Sequence, residues 1–163
     1  MANLFSGAQR AARRRMSANI LTDTSTTAEY VPGERYSILD QTYGEMEFVY
    51  IKNDSGGAYA EGLGVMFKDA AVNYSSTNLS GANISRARFI GVALGAIADQ
   101  SFGWIQTKGP VNVKAVAGGI LANASLKCAA SGEFDDGTAL TEETIAFSGA
   151  AILLGALGVG ILR

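Results

Sequence analysis

The chain has 163 residues, 48% of them apolar and 17% charged, with twenty glycines, two prolines and a formal net charge of −2. That length suits one domain with an arm to spare, and the composition is too apolar for a disordered chain. Histidine is absent and Cys128 is the single cysteine, which excludes Ser-His-Asp and Cys-His nucleophiles, an internal disulfide and a clustered zinc site. No enzymatic activity, cofactor or metal is expected. Cys128 sits in the apolar run ILANASLKCAA, where a buried, inert thiol is expected.

The first 22 residues carry Arg10, Arg13, Arg14 and Arg15 and no acid. The remainder holds nine basic and fifteen acidic residues, a net of −6. A basic arm on an acidic body implies that the arm meets something negative, or something other than its own domain. Gln9 to Met16 are good helix formers. At about 3.6 residues per turn, Phe5, Ala8, Ala12 and Met16 share one stripe, with Arg10, Arg13 and Arg14 largely opposite. A helix this short needs a surface to lie on. Arg-rich, acid-free segments also serve as transit peptides and membrane-surface helices. Deleting residues 1–22 is expected to remove few core residues.

The next segment, TDTSTTAEYVPGERYSILDQTYG, is rich in Thr, Ser and Tyr without clear periodicity. It reads as an extended strap ending near Gly44, so residues 1–44 form an arm and strap and residues 45–163 the body. From Glu45 the pattern changes to period two. EMEFVYIK alternates and then meets NDSGG, a strong turn signal. Strand-like runs follow at GVMFK, RFIGVAL, FGWIQ, VNVKAVA, GILANASLK, TALT, AAILL and GVGILR. Breaks about every 8–12 residues are the spacing of an all-β sandwich or barrel. The fold class is therefore mainly β: a small β-sandwich or β-barrel-like domain with an extended N-terminal arm carrying a short basic helix. GLGVMFKDAAVNY and LTEETIAF also fit short helices.

IAFSGAAILLGALGVGIL, residues 145–162, is uncharged and just long enough to span a bilayer. Its four glycines disfavour an isolated helix, so it reads as two packed strands broken at GALGVG, with a tail anchor as the alternative. Asn-x-Ser sequons at Asn53, Asn73, Asn78, Asn83 and Asn123 read as turn chemistry rather than glycan sites. Asp135 and Asp136 read as a solvated turn, and Glu142 and Glu143 as helix N-terminal charges.

FGWIQTKGPVNVKA, Phe102 to Ala115, holds the only tryptophan and reads as a hairpin turning at Lys108-Gly109-Pro110. One face would be Gly103, Ile105, Thr107, Val111, Val113 and Ala115, the smoother apolar surface and the expected core. The other would be Phe102, Trp104, Gln106, Asn112 and Lys114. Aromatic rings bordered by amides and an amine suit a contact surface. The alternative is that Trp104 packs under a loop of its own domain.

The segment GVALGAIADQSFGWIQTKGPVNVKAVAGGILANASLKCAASGEF resembles part of the capsid cement, or head decoration, proteins of tailed bacteriophages. The shared features are a strand ending Gly-Val-Ala-Leu, a small-residue linker and an aromatic-Gly-Trp-Ile-Gln strand. A glycine turn, a Val-x-Val strand and an Ala-Gly-Gly-x-Leu step follow. The resemblance covers about a quarter of the chain clearly, and GVGILR fits it loosely. It implies a non-catalytic virion protein on the outer capsid surface that cements neighbouring major-capsid subunits. The implied partners are the major capsid protein and sister subunits, as a homotrimer. No small-molecule substrate, membrane or nucleic acid is expected. The expected contact residues are Phe5, Arg10, Arg13, Arg14, Arg15 and Met16 of the arm, Tyr30, Tyr36 and Tyr43 of the strap, and Phe102, Trp104, Gln106 and Lys114. Two other functions stand as alternatives: a membrane-associated protein using the basic helix and apolar C-terminus, or a small-ligand or carbohydrate-binding β domain whose aromatics line a pocket.

Overall fold

Residues 21–68, 74–78, 88–129, 132–136, 146–148 and 157–162 are described by the computed structural model. Within them the strands are β1 (Arg35–Asp40), β2 (Gly44–Asn53), β3 (Gly64–Phe67), β4 (Ser75–Asn78), β5 (Phe89–Ala93), β6 (Phe102–Lys114), β7 (Ser125–Cys128), β8 (Phe134–Asp136), β9 (Ala146–Ser148) and β10 (Leu157–Leu162). The molecule is mainly β, as its period-two runs require. No helix among the described residues is long and apolar enough to cross a membrane.

The last residues of the strap are themselves a strand. β1 runs antiparallel to β2 from Arg35↔Val49 to Asp40↔Gly44. The turn is set by Asp40, whose Oδ1 accepts from the Thr42 and Tyr43 N–H groups at 2.8 and 2.9 Å. Such a carboxylate-to-backbone turn is why Asp is favoured before a reversal. The expected boundary at Gly44 thus falls within this hairpin, at the first residue of β2.

β2 pairs with β6 and, in parallel, with β4. β4 pairs with β3, β3 with β5 and β5 with β6, which closes a five-stranded ring. Alternate β2 side chains supply its two faces. Val49 and Ile51 join Tyr59, Val65, Ala93, Ile97 and Ile105 in one buried cluster. Phe48 and Tyr50 join Leu21 and Trp104 in another. That is why Phe48 to Ile51 are buried without interruption despite the alternation. Each fully buried aliphatic or aromatic side chain contributes roughly 1.5–3 kcal/mol.

β6 then leaves the ring. Its far half pairs with β10, from Gly109↔Leu162 to Lys114↔Leu157, and the sheet continues β10-β9-β7-β8. This second sheet buries Val111, Val113, Leu126 and Phe134 in a third cluster, which Val92 of β5 joins from the ring.

Several expectations change here. Lys108-Gly109-Pro110 does not reverse the chain: β6 is one unbroken strand of 13 residues. GVMF is the strand β3 and not a helix. The apolar C-terminal run does form two strands, β9 and β10, paired antiparallel. Gly158 and Gly160 lie within β10, so their part of GALGVG is strand, and no break falls there. Most of LTEETIAF, with TALT, AAILL, Glu142 and Glu143, falls outside the described residues, though Ala146–Ser148 is strand. Asp135 and Asp136 lie in β8, and the Asp136 carboxylate accepts from the Leu121 N–H at 3.0 Å.

Turn chemistry holds at two sequons. Asn53 is fully buried. Its Nδ2 donates to the Gly57 and Ile97 carbonyls, both at 2.8 Å, while its Oδ1 accepts from the Ser55 N–H and hydroxyl. Asn123 adopts φ 59° in a turn. Asn78 lies in β4, and Asn73 and Asn83 lie outside the described residues.

Candidate contact surface

The Lys-Gly-Pro step is the bend between the two sheets. Glu47 pairs with Lys108 and Phe48 with Gln106, so Thr107 is an extra residue opposite β2. An unpaired extra residue bends a strand. Gly109 follows at φ 94°, a backbone region that costs little for glycine only. A Cβ there would stand 3.0 Å from Met46 Cγ. Gln106 braces the bend: its Nε2 donates to the Lys108 carbonyl at 3.0 Å and the Pro110 carbonyl at 2.7 Å. Pro110 brings no N–H that would need a partner.

The predicted core face holds, with Gly103, Ile105, Val111, Val113 and Ala115 buried and Thr107 half-buried, but the opposite face is not an open one. Trp104 is 2% exposed and Gln106 is 3% exposed, so neither is on offer to a partner in the folded chain. Trp104 lies beneath the strap. Tyr30 meets it edge-on with centroids 5.2 Å apart, and Tyr50 sits tilted at 5.2 Å. Phe102 is half-buried and stacks on Tyr50 at 6.0 Å. These rings fill a packed cluster instead of lining an open pocket. The strap is pinned over them by the Ser25–Phe102 bridge, by the Glu29 N–H donating to Tyr50 Oη at 3.2 Å, and by the Gly33 N–H donating to the Tyr50 carbonyl at 2.7 Å. Burial raises the Tyr50 pKa above its ordinary value, opposed by the Glu29 N–H bond. The buried Trp104 Nε1 and Thr107 Oγ1 have no hydrogen-bond partner among the described residues.

Lys114 is half-buried and paired with Glu133 at 3.0 Å, beside the second sheet. Tyr30 and Tyr36 are half-buried against the aromatic cluster. Tyr43 is the member of the expected set that stands out, at 61% exposed. Phe5, Arg10, Arg13, Arg14, Arg15 and Met16 lie outside the described residues. Leu21, assigned to the arm, is 6% exposed and packs with Phe48, Tyr50 and Trp104. A deletion through residue 22 therefore does remove a core side chain.

Two of the four large apolar side chains most exposed among the described residues stand together at the β1–β2 tip, while Val31 and Leu121 stand elsewhere. Leu39 is 82% exposed and Tyr43 61%. The Asp and Gly of LDQTYGEM signal this turn and Tyr43 is among the expected contacts, but no local pattern marks Leu39 as pointing outward. Behind the tip Lys108 bridges Glu45 at 2.7 Å and Glu47 at 3.4 Å, and both carboxylates raise its pKa. Between the tip and the β6 bend lies an open cleft of about 410 Å³, lined among others by Leu21, Asp40, Tyr43, Met46, Glu61 and Val111. Cys128 is half-buried, and burial pushes its thiol pKa up. Among the described residues no three His, Cys, Asp or Glu side chains gather as metal ligands.

Most of this fold has a counterpart among solved structures. The fold resembles a phage head-fibre base. The match is to the head fibre gp8.5 N base of bacteriophage phi29, with a TM-score of 0.54 and 9% identity over 71% of this chain and 94% of that one. At that identity the likeness to the head-fibre base is one of fold. No protein-family model and no curated protein matches the sequence.

Proposed function

We propose that the protein is a structural component of a tailed-phage virion, seated on the outside of the head and joining neighbouring major-capsid subunits, with sister subunits beside it as a homotrimer. The observation that carries this reading is the fold likeness over 94% of the head-fibre base, so that nearly all of that domain has a counterpart here. The exposed Leu39 and Tyr43 at a hairpin tip support it, because apolar residues held out from a β scaffold suit burial against a partner. Arm residues Phe5, Arg10, Arg13, Arg14, Arg15 and Met16 add a cationic, apolar segment for a shell surface. Trp104 and Gln106 act in this reading by holding the shape of the body.

The test is electron cryo-microscopy of purified heads before and after this protein is stripped and re-added. Density on the outer surface at joints between capsid subunits, restored on addition, is the expected result. Heads that bind none of the added protein would refute the reading. Density confined to capsomer centres would retain the virion role and refute the joining of neighbours. The Leu39→Ser/Tyr43→Ser pair should lower occupancy at unchanged melting temperature.

A further inference from the structure

The cleft between the hairpin tip and the β6 bend is joined to the chain's basic N-terminal segment. Leu21, the first described residue, lines it. The lining combines apolar Met46, Phe48 and Val111 with two carboxylates, Asp40 and Glu61. Neither carboxylate has a Lys or Arg partner among the described residues, which is also true of Asp23, Glu29, Glu34, Asp99 and Asp136; Asp40 and Glu61 are the two that line the cleft. Asp40 bonds backbone N–H groups of its own turn, and Glu61 accepts from the Asn112 side chain at 3.1 Å. The sequence just before Leu21 supplies four arginines, an apolar stripe ending at Met16, and no acid.

We propose that this cleft seats the chain's own N-terminal segment, with Met16 against the apolar lining and arginines facing Asp40 and Glu61. The tether favours the chain's own segment over that of a second copy. A chain spans at most about 3.6 Å per residue, so Met16 stays within about 18 Å of Leu21. A short link gives an effective concentration in the mM range, so even a weak contact is substantially occupied. Single-sign charge on the segment and unpaired opposite charge at the cleft orient it. The remaining arginines leave the body from a fixed point, which deepens the proposed capsid role without depending on it.

Cysteine crosslinking in the isolated full-length chain tests this. In a Cys128→Ser background, Met16→Cys is combined with Asn112→Cys, which lines the cleft, or with Leu121→Cys, which is exposed but lines no part of it. Under mild oxidation of dilute protein, the 16–112 disulfide should form within single chains at least about tenfold faster than 16–121, by the effective-concentration argument. Asp40→Asn with Glu61→Gln, or 1 M salt with its Debye length of about 3 Å, should slow it severalfold. Both cysteine partners are exposed positions where substitutions are well tolerated, and a second cleft cysteine, Tyr43→Cys, repeats the measurement. Equal rates for cleft and control pairs, disulfides only between chains, or indifference to both charge and salt would each overturn the proposal. No capsid enters the assay, so its failure and that of the virion reading are separable.

Discussion

Removing the Trp104 ring tests the packing of strap on ring most directly. The indole is 2% exposed, wedged between Tyr30 and Tyr50 with centroids 5.2 Å from each. Truncating a buried aromatic to alanine costs about 3–5 kcal/mol, and each ring pair lost contributes roughly 0.5–1.5 kcal/mol of that. For a chain of this size one kcal/mol moves the melting temperature by about 2–4 °C. Trp104→Ala should therefore melt roughly 6–20 °C below the parent. Trp104→Phe should behave differently. It removes an indole N–H that has no partner among the described residues, and with it a desolvation penalty of about 1–3 kcal/mol that offsets much of the lost ring volume. It should melt within a few degrees of the parent. Calorimetry or far-ultraviolet circular dichroism is the right assay, because the alanine variant loses the only tryptophan fluorophore. A Trp104→Ala protein that melts like the parent would refute the reasoning, since the strap would then not be packed on the ring.

Gly109→Ala forces a side chain into a left-handed backbone 3.0 Å from Met46, and should lower unfolding free energy by about 1–2 kcal/mol in urea titrations. Deleting residues 1–20 should leave the melting temperature nearly unchanged. Deleting 1–22 takes Leu21 from the aromatic cluster and should cost about 2–5 kcal/mol more, read by the same melts. Cys128, its thiol held neutral by burial, should resist a thiol-exchange reagent in the native state and react promptly in denaturant. Tyr50 and Lys108 both have folded pKa values raised above their unfolded ones, so each favours the protonated fold. Their contribution is complete below about pH 10 and lost as pH rises through the folded values, and Tyr50→Phe should flatten that alkaline fall in stability.

The β character was legible because it is local: EMEFVYIK alternates, and the carboxamide of Asn53 closes its own turn. The role of β6 was not. Gly-Pro punctuation looks the same in sequence whether the chain reverses or merely kinks. What decides is that β2 and β10, from distant parts of the chain, lie ready to pair along its two halves, and that Gln106 reaches forward to hold the bend. The Trp104 face stood open between two readings for a related reason, and the one that packs it under its own domain holds. Aromatic and amide side chains mark a surface that must be covered, and nothing local distinguishes a partner from the strap. Leu21 shows the same limit, since its burial depends on Phe48 and Trp104 many residues away.

One backbone carries both halves of the body. Along Phe102–Gln106 it is held by β2 and β5, and along Gly109–Lys114 by β10. A load applied to the second sheet is therefore delivered lengthwise into the ring through covalent bonds, beside the side-chain contact of Phe89 with Phe134. Pulling the halves apart would shear several ladder hydrogen bonds together, with no weak seam to peel one at a time. For a protein fixed at one end and tugged at the other, this is the joint of a strut and not that of a hinge.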